Sequence, residues 1–549
     1  MRFIYLSLGL TALLSLFTPA FGQHPGEKIP DDIHIYAEMS SPQTLIAKFI
    51  ETPLVQAANK SGLLAELTEN DGFKKAQNVW AALGQRFQGR AALGIRFGVA
   101  GPSIFFATEH GGKKDLQEIA MVIGEFDPEI KITDRGTQKN IRWLNLGKGG
   151  ILGVDKNYLY WGERPSSLRE MSRLQKHESV IEGRRYKSSM REAKDFDFLA
   201  IVAVADLLKE NPIDKNQFKN AAEIILLRAF ADDLAKAKYG YAWGRLGELT
   251  KFRVRMVNKE PRVESWDLAN RERSPLPAVP NQSGHIHLDR DLASFWSQRL
   301  NLVPEAGRPG LAEFSQTMNI FLSGFPFSDL MAKTGSGLDI VVREVPKSSE
   351  LPDLVLPQFA FLIDAHFAQR EQERFMVAYQ TAIGVINSDA GEKRREPMLQ
   401  GSAAVSGVQI LTARFLQNPK TGNRGTEYNF TPSIAFSKGK LILSSSKDLA
   451  IDLVRSLEAA DSTTKNKRRG DRLYLSGGSV ARMLSLNRLN LVESRMLDEG
   501  EDEDEAETTI DAILEVLGQI DSLRLNHVSL VKSTVWDFAF KMKSSGVNK

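Results

Sequence analysis

The chain has 549 residues, 42% hydrophobic and 25% charged, with 71 Lys and Arg against 68 Asp and Glu, a formal net charge of +3 and no Cys. Charge of both signs is dispersed, which argues against nucleic acid or an anionic membrane as partner, since these ask for a concentrated basic surface. The lack of Cys excludes disulfides, thiol catalysis and thiolate metal sites, so stability must come from burial, which a chain of this length can supply in more than one core.

Met1 to Phe17 presents one positive charge and then an apolar run, and Pro19-Ala20-Phe21-Gly22-Gln23 supplies the small residues a signal peptidase reads. This predicts a secretory signal peptide over 1–22, cleaved after Gly22. The run is short of the roughly 20 apolar residues of a spanning anchor, no Cys follows it for a lipid anchor, and no later run is long enough to cross a bilayer. The expected location is outside the cytoplasm, in the periplasm, the cell envelope or the extracellular medium.

A first unit is expected over 30–258. Ile33 to Met39 alternates as a half-buried strand, and helices follow from Ser41-Pro42-Gln43 and over Phe73 to Phe87. Ser103 to Glu109 reads as a strand, and after Gly111-Gly112 a helix carries Leu116, Ile119 and Ile123 on one face. A hairpin spans Leu152 to Trp161, a helix starts at Pro165, and the unit closes with strand Asp197 to Val202, helix Ala222 to Leu234 and strand Phe252 to Met256. The Pro-rich stretch 259–283 reads as a connector.

A second unit, 284–545, repeats this plan. Gly284-His285-Ile286-His287-Leu288-Asp289 returns the pattern of Ile33-His34-Ile35-Tyr36-Ala37-Glu38, and Phe359 to Asp364 with the helix after it answers Ser103 to Glu109. Ile434 to Leu443 is the matching hairpin, with Gly439 and Asn157 expected to take positive φ at the two turns. A helix start at Ser446, strand Asp471 to Ser476, helix Ile510 to Ile520 and strand Phe538 to Met542 complete the series. The expected fold is α+β: two units related by internal duplication, each an antiparallel sheet covered on one face by amphipathic helices. A doubly wound parallel sheet fits less well, because the strands alternate and no glycine-rich loop joins strand to helix.

Few residues carry candidate chemistry. His285 and His287 lie on one face of a strand, the spacing that opens many metal sites, although Tyr36 stands where His287 has its counterpart in the first unit. His110 and His366 end equivalent strands, with Glu109 and Asp364 close enough in sequence to orient them for acid–base work. Ser444-Ser445-Ser446-Lys447 and Ser462-Thr463-Thr464-Lys465 have the Ser-x-x-Lys spacing without the other elements of that chemistry, and no nucleophile elbow, phosphate loop or HExxH motif occurs. No cofactor is expected. Lys465 to Arg469 is a basic loop, and the acidic run Asp498 to Glu505 is expected to be solvated and mobile.

With its strand at Ile33 to Glu38, its Thr52-Pro53-Leu54-Val55 helix segment and its Tyr158 to Trp161 hairpin, the chain resembles a family of exported bacterial proteins of uncharacterised function. The resemblance implies bacterial export and a tandem α+β build, and carries over no catalytic residue. The reading is of a non-enzymatic protein that binds a partner protein or an apolar ligand. The alternative is a hydrolase with an unfamiliar His/carboxylate site.

Overall fold

The computed structural model describes residues 24–41, 44–45, 47–48, 51–60, 89–98, 101–109, 132–138, 141–147, 150–193, 196–210, 212–213, 221–247, 249–260, 279–322, 324–346, 351–416, 425–460, 470–530 and 532–543. The expected signal peptide, the helices over 73–87 and after Gly112, most of the connector, the basic loop and His110 lie outside these residues. The chain divides into two compact units: Met1–Pro212 with Leu234–Glu260 and Lys532–Lys549, and Ile213–Asp233 with Pro261–Val531.

The first unit contains strands β1 (Ile35–Met39), β2 (Ala91–Gly98), β3 (Gly101–Glu109), β4 (Thr133–Gln138), β5 (Ile141–Asn145), β6 (Ile151–Val154), β7 (Tyr158–Gly162), β8 (Phe198–Val202), β9 (Ala237–Arg245) and β10 (Leu249–Asn258), with the C-terminal strand β20 (Ser533–Met542). They pair antiparallel in the order β4-β5-β6-β7-β3-β2-β1-β8-β9-β10-β20. Among its helices are α1 (Pro53–Lys60), α2 (Pro165–Arg173), α3 (Arg184–Met190) and α4 (Val204–Glu210). The core forms where Tyr36, Phe105, Tyr158 and Tyr160 on one face of the sheet meet Leu168 and Met171 of α2 and Tyr186 of α3.

In the second unit, β11 (Gln282–Asp289), β12 (Thr334–Arg343), β13 (Gln358–Ala365), β14 (Met398–Val405), β15 (Val408–Phe415), β16 (Ser433–Ser437), β17 (Lys440–Ser444), β18 (Asp471–Leu475) and β19 (Ile520–Ser529) also pair antiparallel. Their order is β14-β15-β16-β17-β13-β12-β11-β18-β19. A π-helical turn at Ile224–Arg228 leads into α5 (Ala229–Lys236), and α6 (Leu292–Leu302), α7 (Arg308–Phe321), α8 (Phe327–Met331), α9 (Gln369–Glu392), α10 (Lys447–Ala459), α11 (Gly477–Ser485), α12 (Arg488–Glu499) and α13 (Glu503–Gln519) follow. No helix among the described residues is long and apolar enough to cross a membrane.

The fold is α+β with antiparallel sheet, and three details differ from expectation. Helices lie on both faces of the second sheet: α10 packs Leu449, Leu453 and Val454 on Val341, Leu362 and Ile442, while Trp296, Phe327 and Ala378 of α6, α8 and α9 pack with Ile434 and Leu441 on the other face. Apolar residues at both parities of these strands require cover on both sides. At the hairpins, Gly439 has φ +72° and Lys438 +46°, the pair of left-handed residues that a two-residue hairpin turn needs. Asn157 is not among the positive-φ residues; the Asp155 carboxylate instead accepts the amides of Asn157 at 2.7 Å and Tyr158 at 2.8 Å, closing the turn from outside. The acidic run is built into structure: Glu501 pairs with Arg495, and Asp502 caps α13, whose first turn holds Glu503, Asp504 and Glu505 at the favourable end of the helix dipole.

Candidate functional site

Because paired residues of an antiparallel sheet share a face, the register of the second sheet assigns every side chain to one of two surfaces. On one, Leu473, Ile286, Ile340, Phe361, Leu443 and Ile434 stand opposite one another in a continuous apolar row across six strands. A second row, Leu288, Leu338, Ile363, Leu441 and Phe436, runs beside it. The second row is partly roofed by α6, α8 and α9, which bury Leu441. The first row opens to solvent: Phe361 is 37% exposed and Leu443 38%, with Leu475 of β18 exposed on the same face and Phe359 packed edge-on to Phe361. Large apolar side chains left open together on a sheet face make it a candidate binding surface.

The opposite surface carries charge where the core would otherwise be apolar. His287 stands directly opposite Asp339, and His285 lies two residues before it on the same face. Asp339 Oδ1 bonds His287 Nδ1 at 2.6 Å and His285 Nε2 at 3.1 Å, while its Oδ2 accepts from Lys440 Nζ at 3.2 Å. Lys440 Nζ also donates to Asp364 at 2.6 Å. Burial pushes the Asp339 carboxyl up, but the two imidazole hydrogen bonds and the Lys440 charge outweigh it and hold the group well below the usual carboxylate range. Burial likewise pulls Lys440 down, and Asp339 and Asp364 raise it above the ordinary lysine value.

A second buried network ties β11, β18 and β19 to α5. Arg290 is fully buried and forks onto Asp471, NH1 at 2.8 Å and NH2 at 3.0 Å, while its Nε donates at 2.8 Å to the Ile225 carbonyl in the π-helical turn. Asp471 Oδ2 meets His527 Nδ1 at 3.0 Å, and His527 Nε2 meets Asp233 at 2.8 Å. Ser529 Oγ lies 3.4 Å from that same Nε2, so Ser529, His527 and Asp471 have the order of a catalytic triad. They do not have its chemistry. Ser529 donates to Asp233 at 3.2 Å, and both imidazole nitrogens face carboxylates. Burial lowers the His527 pKa, but its hydrogen bonds to Asp233 and Asp471 raise it above the ordinary value, and with both ring nitrogens bonded to carboxylates neither is left to take a serine proton. Gly470 makes the approach of β18 to β19 possible: its φ is +102°, and a methyl there would collide with the His527 carbonyl. Gly470→Ala is therefore expected to lower stability by about 2–3 kcal/mol, read as a shift of the urea unfolding midpoint.

The first unit has its own network on its helix-covered face. Glu38 is buried on β1 and accepts from Tyr36 at 3.0 Å and Tyr186 at 3.1 Å, while its other oxygen meets His24 Nε2 at 2.9 Å and Arg90 at 3.5 Å. Burial raises the Glu38 pKa, but these contacts, His24 first, bring it below the usual value.

The residues singled out from sequence fall as follows. His285, His287 and Asp364 belong to the Asp339–Lys440 network. His366 is exposed, and Asp364 is committed to Lys440. Glu109 is largely buried, and burial raises its pKa. Among the described residues no group of three or more His, Asp or Glu is arranged to hold a metal ion. Ser446 heads α10 as its N-cap residue, without a side-chain capping bond. Sequence reasoning missed Asp339, Lys440, Arg290, Asp471, Asp233 and Glu38. The signal was present in Leu338-Asp339-Ile340-Val341-Val342, a strand with one charge on its apolar side.

No family model and no curated protein matches the chain. Among solved structures it is similar to crystal form I of TP0453, at 8% identity and a TM-score of 0.26, over 45% of this chain and 83% of that one. Crystal form III of TP0453 gives 7% identity and a TM-score of 0.25, over 45% and 84%. Likeness at this level carries no argument about function.

Proposed function

We propose that the chain is an exported, non-enzymatic bacterial protein of the periplasm or cell envelope that binds an apolar ligand on the open face of its second sheet. The observation that carries this reading is the row Leu473, Ile286, Ile340, Phe361, Leu443 and Ile434, unroofed at Phe361 and Leu443 beside a helix-covered end. The polar groups that could have served a hydrolase are spent on one another: each buried histidine of this unit is bonded to a carboxylate. The proposal includes a 1–22 signal peptide and tandem duplication of one α+β unit, with units at 30–258 and 284–545 joined by the connector 259–283. Its support is strand order, since adding ten to each label of β4-β5-β6-β7-β3-β2-β1-β8-β9 reproduces the order in the second sheet.

A fluorescent apolar probe such as 1-anilinonaphthalene-8-sulfonate tests the site. The wild-type protein should bind it saturably. Phe361→Thr with Leu443→Thr should weaken binding at least about tenfold, because two side chains each contributing on the order of 1.5 kcal/mol or more of apolar burial are lost. Threonine suits a strand and brings no charge to this cross-strand pair, so the double variant should keep the wild-type fold, checked by its circular dichroism. Unchanged probe affinity in the double variant would sink the assignment. A partner protein docking an apolar segment on the same rows would compete with the probe without any small ligand being recovered.

A further inference from the structure

We infer that the chain self-associates through β14, which pairs antiparallel with β14 of a second copy about a twofold axis at Ser402. Strand β14 lies at the end of the second sheet, bonded to β15 over all eight residues without a register shift; among the described residues no strand pairs with its outer side. Its sequence, Met-Leu-Gln-Gly-Ser-Ala-Ala-Val, has neither charge nor proline, and Leu399, Gln400, Gly401 and Ser402 are exposed. An edge strand presents a row of N–H and C=O groups ready to pair, and folded chains usually blunt it with charges, prolines or bulges.

The first sheet does blunt the equivalent edge. Strand β4 carries Asp134 and Arg135, its pairing with β5 slips between Asp134 and Thr137, and Gly136 sits at φ +72°. These features twist and charge that edge. Among the described residues, the chain thus protects one sheet end and leaves the other straight, neutral and, beyond Met398, whose N–H and C=O bond the Asn387 side chain, without a strand partner.

Self-complementarity selects the occupant. A twofold axis normal to a sheet keeps each side chain on its own face, so a residue can only oppose one of the same parity. Centred on Ser402, the axis sets Ser402 against its own copy, Gly401 against Ala403, Gln400 against Ala404 and Leu399 against Val405 of the second copy. No charge meets its like, small residues meet at the centre, and Leu399 finds an apolar partner, as cross-strand pairing favours.

Sedimentation of the mature full-length protein over a range of concentrations tests the inference. The wild type should form a dimer that dissociates on dilution, and slowed amide exchange at high concentration should map to β14. Ser402→Lys and Ser402→Glu each set like charges across the axis and should both be monomeric with an unchanged thermal midpoint. An equimolar mixture of the two should recover the dimer, since unlike charges then face each other. A wild type that stays monomeric at every concentration, or a dimer indifferent to both substitutions, would overturn it. So would a monomeric wild type whose β14 amides are protected only by an added extended peptide, which would make a foreign strand the occupant. Should either variant lose thermal stability, the exchange pattern of the wild type alone decides.

Discussion

Arg290→Met should lower the unfolding free energy of the second unit by about 3–5 kcal/mol, the usual cost of stranding one partner of a buried ion pair. The guanidinium is buried, forks onto Asp471 at 2.8 and 3.0 Å, and reaches Ile225 with its remaining edge. Met approximates its volume but strips the guanidinium from the buried Asp471 carboxylate, which keeps only its bonds to the His527 ring and the Asp289 amide. The double variant Arg290→Met with Asp471→Leu should recover part of the loss, because no uncompensated carboxylate is then buried. Urea unfolding of the four members of the cycle measures the coupling. Additive losses would mean that the pair is not coupled in the folded protein.

Asp339→Asn should cost about 3 kcal/mol or more, since two imidazoles and the Lys440 ammonium converge on a carboxylate that the amide cannot replace as a charge. The pH dependence follows from the direction of the shift. Asp339 and Asp471 both titrate below the ordinary value in the fold. Their contribution is fully present above the unfolded aspartate pKa of about 4 and is lost as pH falls through the lower folded values. His527 has the opposite sign: its raised pKa contributes stability below the unfolded value of about 6.5, lost as pH rises through the folded one. Wild-type stability should therefore fall on both sides of an interior maximum. Asp339→Asn should flatten the acid limb and leave the loss that His527 causes above neutral pH unchanged, which unfolding curves across pH will test.

Local pattern made the strands and hairpins legible. Alternation from Ile33 to Met39 marked β1, and Lys438-Gly439 between apolar runs marked the β16–β17 turn. The same period put His285 and His287 on one face of β11, as the register has it. What local pattern could not supply was the third party. Asp339 lies 52 residues beyond His287, and Lys440 another 101 beyond Asp339, so only the pairing of β11, β12, β13 and β17 brings them together. Lys440 also disguised itself, since a lysine just after Lys438-Gly439 reads as part of an exposed turn although its side chain is 5% exposed. Nor does hydrophobic periodicity say which face a helix will cover; the roofing of one apolar row and the opening of the next depend on where α6, α8 and α9 end. Arg290 and Asp471 sit at strand ends, where a charge looks ordinary until the partner strand arrives.

The division of labour between the two faces of the second sheet, the Asp339–Lys440 network on the face that α10 covers and an open apolar row on the other face of β13 and β17, is the center of this account. It is tested most directly by photolabelling with a diazirine-bearing long-chain fatty acid, followed by peptide mapping of the crosslinks. Labelling should concentrate on β13 and β17 around Phe361 and Leu443, with further adducts near Leu475, and should be displaced by unlabelled fatty acid. Crosslinks spread over the chain, or absent from β13 and β17, would contradict it.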